Sequence, residues 1–271
     1  MTVNLSNKGV REIAHNFDLF YIDIWGVIHN GIKLNVDAVN VLSELDNLGK
    51  DYVLLTNAPR PNLDVIKFLN KLGLDDKKSS RVYTSGQVSL DYLTKEKKGL
   101  KFFHLGPERD FNLFNDFKLF KQNKVKDADY IICTGLYDEH LDLEYYKKFL
   151  SPFVDKEMVC TNPDLIVNRG SKIELCAGSV AMVFEKMGGE VVYFGKPYSE
   201  VYDQSINNKN KRVLSIGDNL NTDIKGANLL NYDSLIISNG VHKDEIKEKG
   251  IEKVAKSYET ICNYIQSELK W

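Results

Sequence analysis

The chain has 271 residues, 43% of them hydrophobic and 27% charged, and a formal net charge of -2. That length suits one large domain or two moderate ones, and the near-zero charge, with lysines scattered among acids, offers no footprint for nucleic acid or an anionic membrane. No apolar stretch approaches the roughly 18 residues of a membrane span, and Met1 to Ser6 show no secretory pattern. The four cysteines, Cys133, Cys160, Cys176 and Cys262, form no CxxC pair and lie in apolar segments, which reads as free thiols in a reducing compartment. A cytoplasmic protein is expected.

In chain order, Ser6 to Asn16 reads as a short leading helix capped by Ser6. Phe17 to Val27 then forms an apolar, aromatic and β-branched run that stops at Asp23, as a buried strand does where it meets its loop. A carboxylate there is costly unless something pairs with it. Val36, Val39, Leu42, Leu45 and Leu48 recur at helical spacing up to Gly49. Tyr52 to Leu55 is a second buried strand running into Thr56-Asn57-Ala58-Pro59, and Leu63, Ile66, Leu69 and Leu72 mark a helix closed by Gly73. This βαβα order with short loops implies a parallel sheet.

Residues 81–190 repeat the alternation independently. Strands are expected at Lys101–Gly106, Tyr130–Cys133 and Met158–Thr161, and helices around Val88–Leu93, Leu143–Leu150 and Leu175–Met187. Beyond them, Val191–Phe194 leads into Gly195-Lys196-Pro197, Val213–Gly217 into Asp218, and Leu235–Ser238 into Asn239-Gly240. A helix through Tyr258, Ile261, Ile265 and Leu269 is expected to end the chain. The outer parts, 1–80 and 191–271, are expected to form one doubly wound parallel α/β sheet, with 81–190 inserted as a second α/β domain.

The strand ends carry the chemistry. Asp23, Thr56 with Asn57, Lys196, and Asp218 with Asp223 would converge on one edge of a parallel sheet. Carboxylate oxygens with open water positions suit Mg²⁺, which also binds substrate phosphates. Lys196 is a compact charge for phosphate oxygens or for a carboxylate, and Thr56 is expected just before a helix start, where free N–H groups favour an anion. A carboxylate beside the cation and a held phosphate can act as nucleophile and form an aspartyl-phosphate.

This order resembles the four motifs of the haloacid dehalogenase superfamily: Ile22-Asp23-Ile24-Trp25-Gly26-Val27, Leu55-Thr56-Asn57, Gly195-Lys196-Pro197, and Gly217-Asp218-Asn219-Leu220-Asn221-Thr222-Asp223-Ile224 with Gly226-Ala227. The insert resembles the C2-type cap of the class IIA, NagD-like branch, through Thr161-Asn162-Pro163-Asp164, Ala177-Gly178-Ser179 and Gly188-Gly189. The resemblance implies a Mg²⁺-dependent phosphatase acting on a small phosphorylated metabolite through phospho-Asp23. Asp23, Asp218 and the Trp25 backbone carbonyl would hold the metal. Thr56 and Lys196 would hold the phosphoryl group with Asn57 in support, and Asp223 would orient Lys196 or a metal-bound water. The cap would close over the site, and a homodimer would suit the branch.

The sequence departs from the family at Trp25, where most family phosphatases carry a second Asp that protonates the leaving group and later activates water. Trp25 itself is expected to pack against the cap or to stack on an aromatic substrate. Losing the acid–base group favours a good leaving group such as an aryl or acyl phosphate, unless His29, or His140, Glu174 or Asp164 from the cap, takes the role. A catalytically weak phosphate-ligand binder is the alternative. In the cap, Arg169 is the leading candidate for contacting a charged substrate, Glu108-Arg109-Asp110 reads as a self-paired solvated turn, and Tyr137–His140 as a plain loop.

Overall fold

The computed structural model describes residues 2–169 and 172–271. Fourteen strands occur among them. The first four are β1 (Val3–Asn4), β2 (Leu19–Ile22), β3 (Asp51–Thr56) and β4 (Val82–Thr84). The inserted region supplies β5 (Phe102–Leu105), β6 (Lys121–Gln122), β7 (Tyr130–Cys133), β8 (Glu157–Cys160), β9 (Ile166–Arg169), β10 (Lys172–Leu175) and β11 (Val191–Tyr193). The last three are β12 (Val213–Gly217), β13 (Asp233–Ile237) and β14 (Tyr264–Gln266).

The core sheet has the order β1-β14-β13-β12-β2-β3-β4, every pair parallel. From β2 the chain winds outward through β3 and β4, then returns to β12 on the other side of β2, so the strand order reverses between β2 and β12. Ligands bind at such a reversal in open parallel sheets, outside the carboxyl ends of the strands. A second parallel sheet, β11-β8-β7-β5-β6, forms the cap, with the antiparallel pair β9–β10 beside it.

β2 is buried along its whole length, which is why its residues form an uninterrupted apolar run. Side chains alternate across a strand. Phe20 and Ile22 pack with Val41, Leu42, Leu54 and Leu69 on one face, while Leu19 and Tyr21 join Val53, Leu55 and Tyr202 on the other. The latter cluster continues through Val88 and Leu93 to Phe102, Phe114 and Tyr130. One apolar body therefore joins the core sheet to the cap. The remaining face of the cap sheet packs on helices Leu143–Leu150 and Ala177–Lys186.

Four sequence expectations need correction. The leading segment forms two short 3₁₀ turns, Val10–Glu12 and Ala14–Asn16, because Gly9 at φ +79° interrupts any helix from Ser6. The expected final helix through Tyr258, Ile261, Ile265 and Leu269 does not form: the preceding helix ends at Ser257, Glu259 takes φ +55°, and Tyr264–Gln266 becomes β14 between β13 and β1. The insert expected at 81–190 shifts at both ends: Val82–Thr84 pairs with Leu54–Thr56 in the core sheet, whereas Val191–Tyr193 belongs to the cap sheet, in register with Met158–Cys160, and the chain re-enters the core only after it. The helix after Thr56 starts at Asn62, so Thr56 does not sit at a helix N-terminus.

Candidate active site

Asp23 follows the last residue of β2, and its amide donates to the Ile216 carbonyl on β12 at 2.8 Å. The next strands on either side end in Thr56 and in Gly217-Asp218, so parallel pairing alone brings Asp23, Thr56 and Asp218 to one edge. All three are buried. Lys196 arrives from the segment that returns from the cap, and its side chain is buried too.

The Lys196 ammonium donates to Asp23 Oδ1 at 2.5 Å, to Asp223 Oδ1 at 2.7 Å and to the Leu55 carbonyl at 3.0 Å. Its three protons thus tie the ends of β2 and β3 to the turn after β12. Burial opposes its charge, but the Asp223, Asp23 and Asp164 carboxylates outweigh this and hold its pKa above the ordinary lysine range. Asp223 is placed by the tight turn Leu220–Ile224, and its other oxygen accepts the Asn219 amide at 3.1 Å. Asn57 clamps the Lys196 backbone from both sides, accepting its N–H at 2.7 Å and donating to its carbonyl at 3.0 Å. The same amide donates to Asp164 Oδ1 at 3.2 Å. Gly195 makes this crossing possible: it sits at φ +115°, and a side chain there would run into Asn57, Ser85 and Pro163.

The carboxylates of Asp23, Asp218 and Asp223 lie within 4.8 Å of one another. Burial, then the neighbouring Asp23 and Asp223, push the Asp218 carboxyl well above the usual range. Burial likewise raises Asp23 to about 7, with Lys196 opposing and Asp223 adding to the rise. Three acids facing one ammonium are short of positive charge, and an all-oxygen donor set fits a hard divalent cation. Both Asp223 oxygens are engaged, which points to Asp23 and Asp218 as the side chains for such an ion. The backbone at Gly26, φ +85°, passes so close to the Asp218 carboxylate that any side chain would collide with it, which brings the Trp25–Gly26 link to the same edge.

Trp25 packs edge-on against His29, with ring centroids 5.1 Å apart, and its indole covers Gly31. His29 is a buried packing residue. It lies between Trp25 and Phe68, its Nδ1 accepts the Gly31 amide at 2.8 Å, and burial lowers its pKa to about 4, so near neutrality it is the uncharged imidazole, a poor general acid. His140 stacks on Tyr145 at 3.8 Å within the cap, and Glu174 stands on β10 opposite Val167. Asp164 of the cap accepts a hydrogen bond from Asn57 of the core at 3.2 Å. Arg169 closes β9, and its side chain lies outside the described residues. The expected self-paired Glu108-Arg109-Asp110 turn is corrected: Arg109 pairs with Asp138 at 2.6 Å, while buried Asp110 accepts from Arg60 of the core at 3.3 Å.

Sequence reasoning missed three contributors. The Val241 amide donates to Asp218 at 3.2 Å, and only the Asn239-Gly240 turn after β13 hinted at it. Ser85 bridges the Ala58 carbonyl of the core at 3.1 Å and the Thr161 carbonyl of the cap at 2.7 Å. Thr222, inside the fourth motif, lies beside Asp164 and favours its ionised form.

Comparison with known proteins agrees with this geometry. The family model for haloacid dehalogenase-like hydrolases matches residues 20–119, and a second, HAD-hydrolase-like model matches residues 193–263. A 4-nitrophenylphosphatase of Schizosaccharomyces pombe is 26% identical over 94% of this chain and 98% of its own. A 5′-nucleotidase of Bacillus subtilis is 23% identical, covering 91% and 96%. Among solved structures, a haloacid dehalogenase-like family hydrolase of Brucella suis superposes with a TM-score of 0.84 at 29% identity, covering 96% of this chain and 98% of that one. With the four motifs meeting at one sheet edge beneath an inserted cap, the chain belongs to the haloacid dehalogenase-like hydrolases.

Proposed function

We propose that the chain is a Mg²⁺-dependent phosphatase that hydrolyses a small phosphorylated metabolite in the cytoplasm. The observation that carries this reading is the Asp23 carboxylate, one residue past the central strand, bonded to Lys196 and clustered with Asp218. Asp23 is the nucleophile: its oxygen attacks phosphorus, the ester P–O bond breaks, and water then releases phosphate from the aspartyl group. Asp223 holds Lys196 in place, and Lys196 and Thr56 bind the phosphoryl oxygens. Asn57 fixes Lys196 by gripping its backbone. Asp23, Asp218 and the Trp25 carbonyl would ligate Mg²⁺, which when bound neutralises phosphate charge and orients the group for attack. The relatives named for 4-nitrophenyl phosphate and nucleotide hydrolysis support a phosphate monoester as substrate. Four buried free thiols support a reducing compartment, and among the described residues no helix is long and apolar enough to cross a membrane.

The test is turnover of p-nitrophenyl phosphate with Mg²⁺, with Asp23→Asn and a chelator as controls. Release of p-nitrophenol that disappears in both controls, with a phosphoenzyme trapped by acid quench in the native protein alone, is expected. Phosphate or Mg²⁺ binding without turnover would instead support a phosphate-ligand binding protein.

A further inference from the structure

Trp25 occupies the position two residues after the nucleophile and carries no exchangeable proton suited to acid–base work, while His29 is neutral and packed. Hydrolysis of an alkyl phosphate still needs a proton for the departing oxygen and a base for water. One carboxyl group in the site has no part in the reading above. Asp164 leaves the cap sheet just after β8 and reaches down to the core, where its Oδ1 accepts from Asn57 at 3.2 Å, with Thr222 of the fourth motif beside the same carboxyl group.

Its loop is held firmly. The Asn162 side chain accepts the Asp164 amide at 3.0 Å. The next carbonyl, of Leu165, receives the Ser179 hydroxyl at 2.7 Å and the Cys176 amide at 2.9 Å. None of these three bonds restrains the carboxyl group, so the loop presents it on a rigid support.

We propose that Asp164 is the general acid–base of the phosphatase reaction, delivered by the cap in place of the group absent at Trp25. The inference rests on the phosphatase reading. In the first half-reaction Asp23 bonds to phosphorus, the ester P–O bond breaks, and the Asp164 proton passes to the leaving oxygen to give the alcohol. In the second, the Asp164 carboxylate takes a proton from water as the water oxygen bonds to phosphorus. The P–O bond to Asp23 breaks, restoring its carboxylate, and Asp164 is again protonated.

The surroundings favour that cycle. Burial raises the Asp164 carboxyl to about 6, with Lys196 opposing and Asp223 adding to the rise. Asp23 and the thiols of Cys160 and Cys176 are the other titratable groups within its electrostatic reach. A group titrating near working pH can both give and take a proton. Because Asp164 belongs to the cap, the acid is in place only while the cap lies over the core, which couples catalysis to closure.

Asp164→Asn tests this, because the amide keeps an oxygen to accept from Asn57 and so preserves the cap contact. Native and variant protein are compared on p-nitrophenyl phosphate, whose leaving group needs little protonation, and on glycerol phosphate. The variant is expected to lose about 10²–10⁴-fold in kcat/KM on glycerol phosphate, yet to form the phosphoenzyme from p-nitrophenyl phosphate within a few-fold of the native rate. That phosphoenzyme should accumulate, since its hydrolysis has lost the base, and the ionisation near 6 should vanish from the pH profile for glycerol phosphate. Equal losses on both esters with an unchanged pH profile would overturn the proposal and leave Asp164 as a cap latch. A fully active variant would also overturn it while leaving the phosphatase reading intact. A native protein inactive on both esters and forming no phosphoenzyme would sink both.

Discussion

Asp218 shows how the site is balanced at the scale of one residue. Its carboxyl group is buried beside Asp23 and Asp223, with the Val241 amide and the distant pull of Lys196 working against the repulsion. Without a cation the charged form is disfavoured, so replacing it with a neutral isostere should relieve the fold. Asp218→Asn is expected to raise the melting temperature in chelator by roughly 2–4 °C, the range for about 1 kcal/mol in a protein near this size. It should also abolish the further rise expected from Mg²⁺ in the native protein. Thermal melts with and without Mg²⁺ decide it: a variant that is less stable in chelator and still stabilised by Mg²⁺ would remove Asp218 from the cation site. At this scale the sequence was highly legible, because a carboxylate ending so apolar a strand as β2 has few structural explanations. The roles of His29 and Asp110 were not legible, since burial and partner depend on Phe68 and Arg60, which are distant in the chain.

Among the elements, the turn Gly195-Lys196 is the hinge point of the design. It follows the edge strand of the cap and delivers a lysine into the core, while Asn57 grips its backbone and Pro163 of the cap packs beside it. Gly195→Ala would place a methyl group against Asn57 and Ser85 at a φ that side chains rarely adopt. It is expected to cost about 1–3 kcal/mol of stability and to lower kcat by displacing Lys196, as denaturant melts and steady-state rates would show. Unchanged stability would mean that the turn relaxes freely. The sequence marked this segment as a strand followed by a functional turn but assigned the strand to the wrong sheet. Val191–Tyr193 is equally apolar in either place, and only its pairing with Met158–Cys160 assigns it to the cap.

For the whole molecule, the apolar cluster running from Leu19 and Tyr21 to Phe102 and Tyr130 links core and cap, and Ser85 and the Arg60–Asp110 pair add polar ties. A single cooperative unfolding transition is expected by both far-UV and near-UV circular dichroism, and two separate transitions would refute that linkage. The acids of the site also set a pH dependence. Asp23 and Asp164 titrate in the folded state at about 7 and about 6, above the ordinary carboxylate value. The folded protein therefore keeps protons that the unfolded chain releases, and metal-free stability should fall as pH rises from about 4 to about 7. Mg²⁺ should flatten that fall by replacing protons at Asp23 and Asp218. Melting temperatures across this range, with and without Mg²⁺, measure the effect.

By itself the sequence determined the parallel core sheet, the inserted cap and the sheet edge at which the motif residues meet. Those features are written in local patterns: apolar runs buried on both faces, strand ends that stop at polar residues, and four motifs in order. What only the tertiary structure decided are the relations between distant segments. It brought Asp164 to Asn57 across 107 positions of sequence, seated Lys196 between Asp23 and Asp223, and turned the chain's last apolar segment into a strand. Charge, burial and hydrogen-bond partners are properties of neighbours in space. A residue type can announce that it needs a partner, but only the folded chain supplies one.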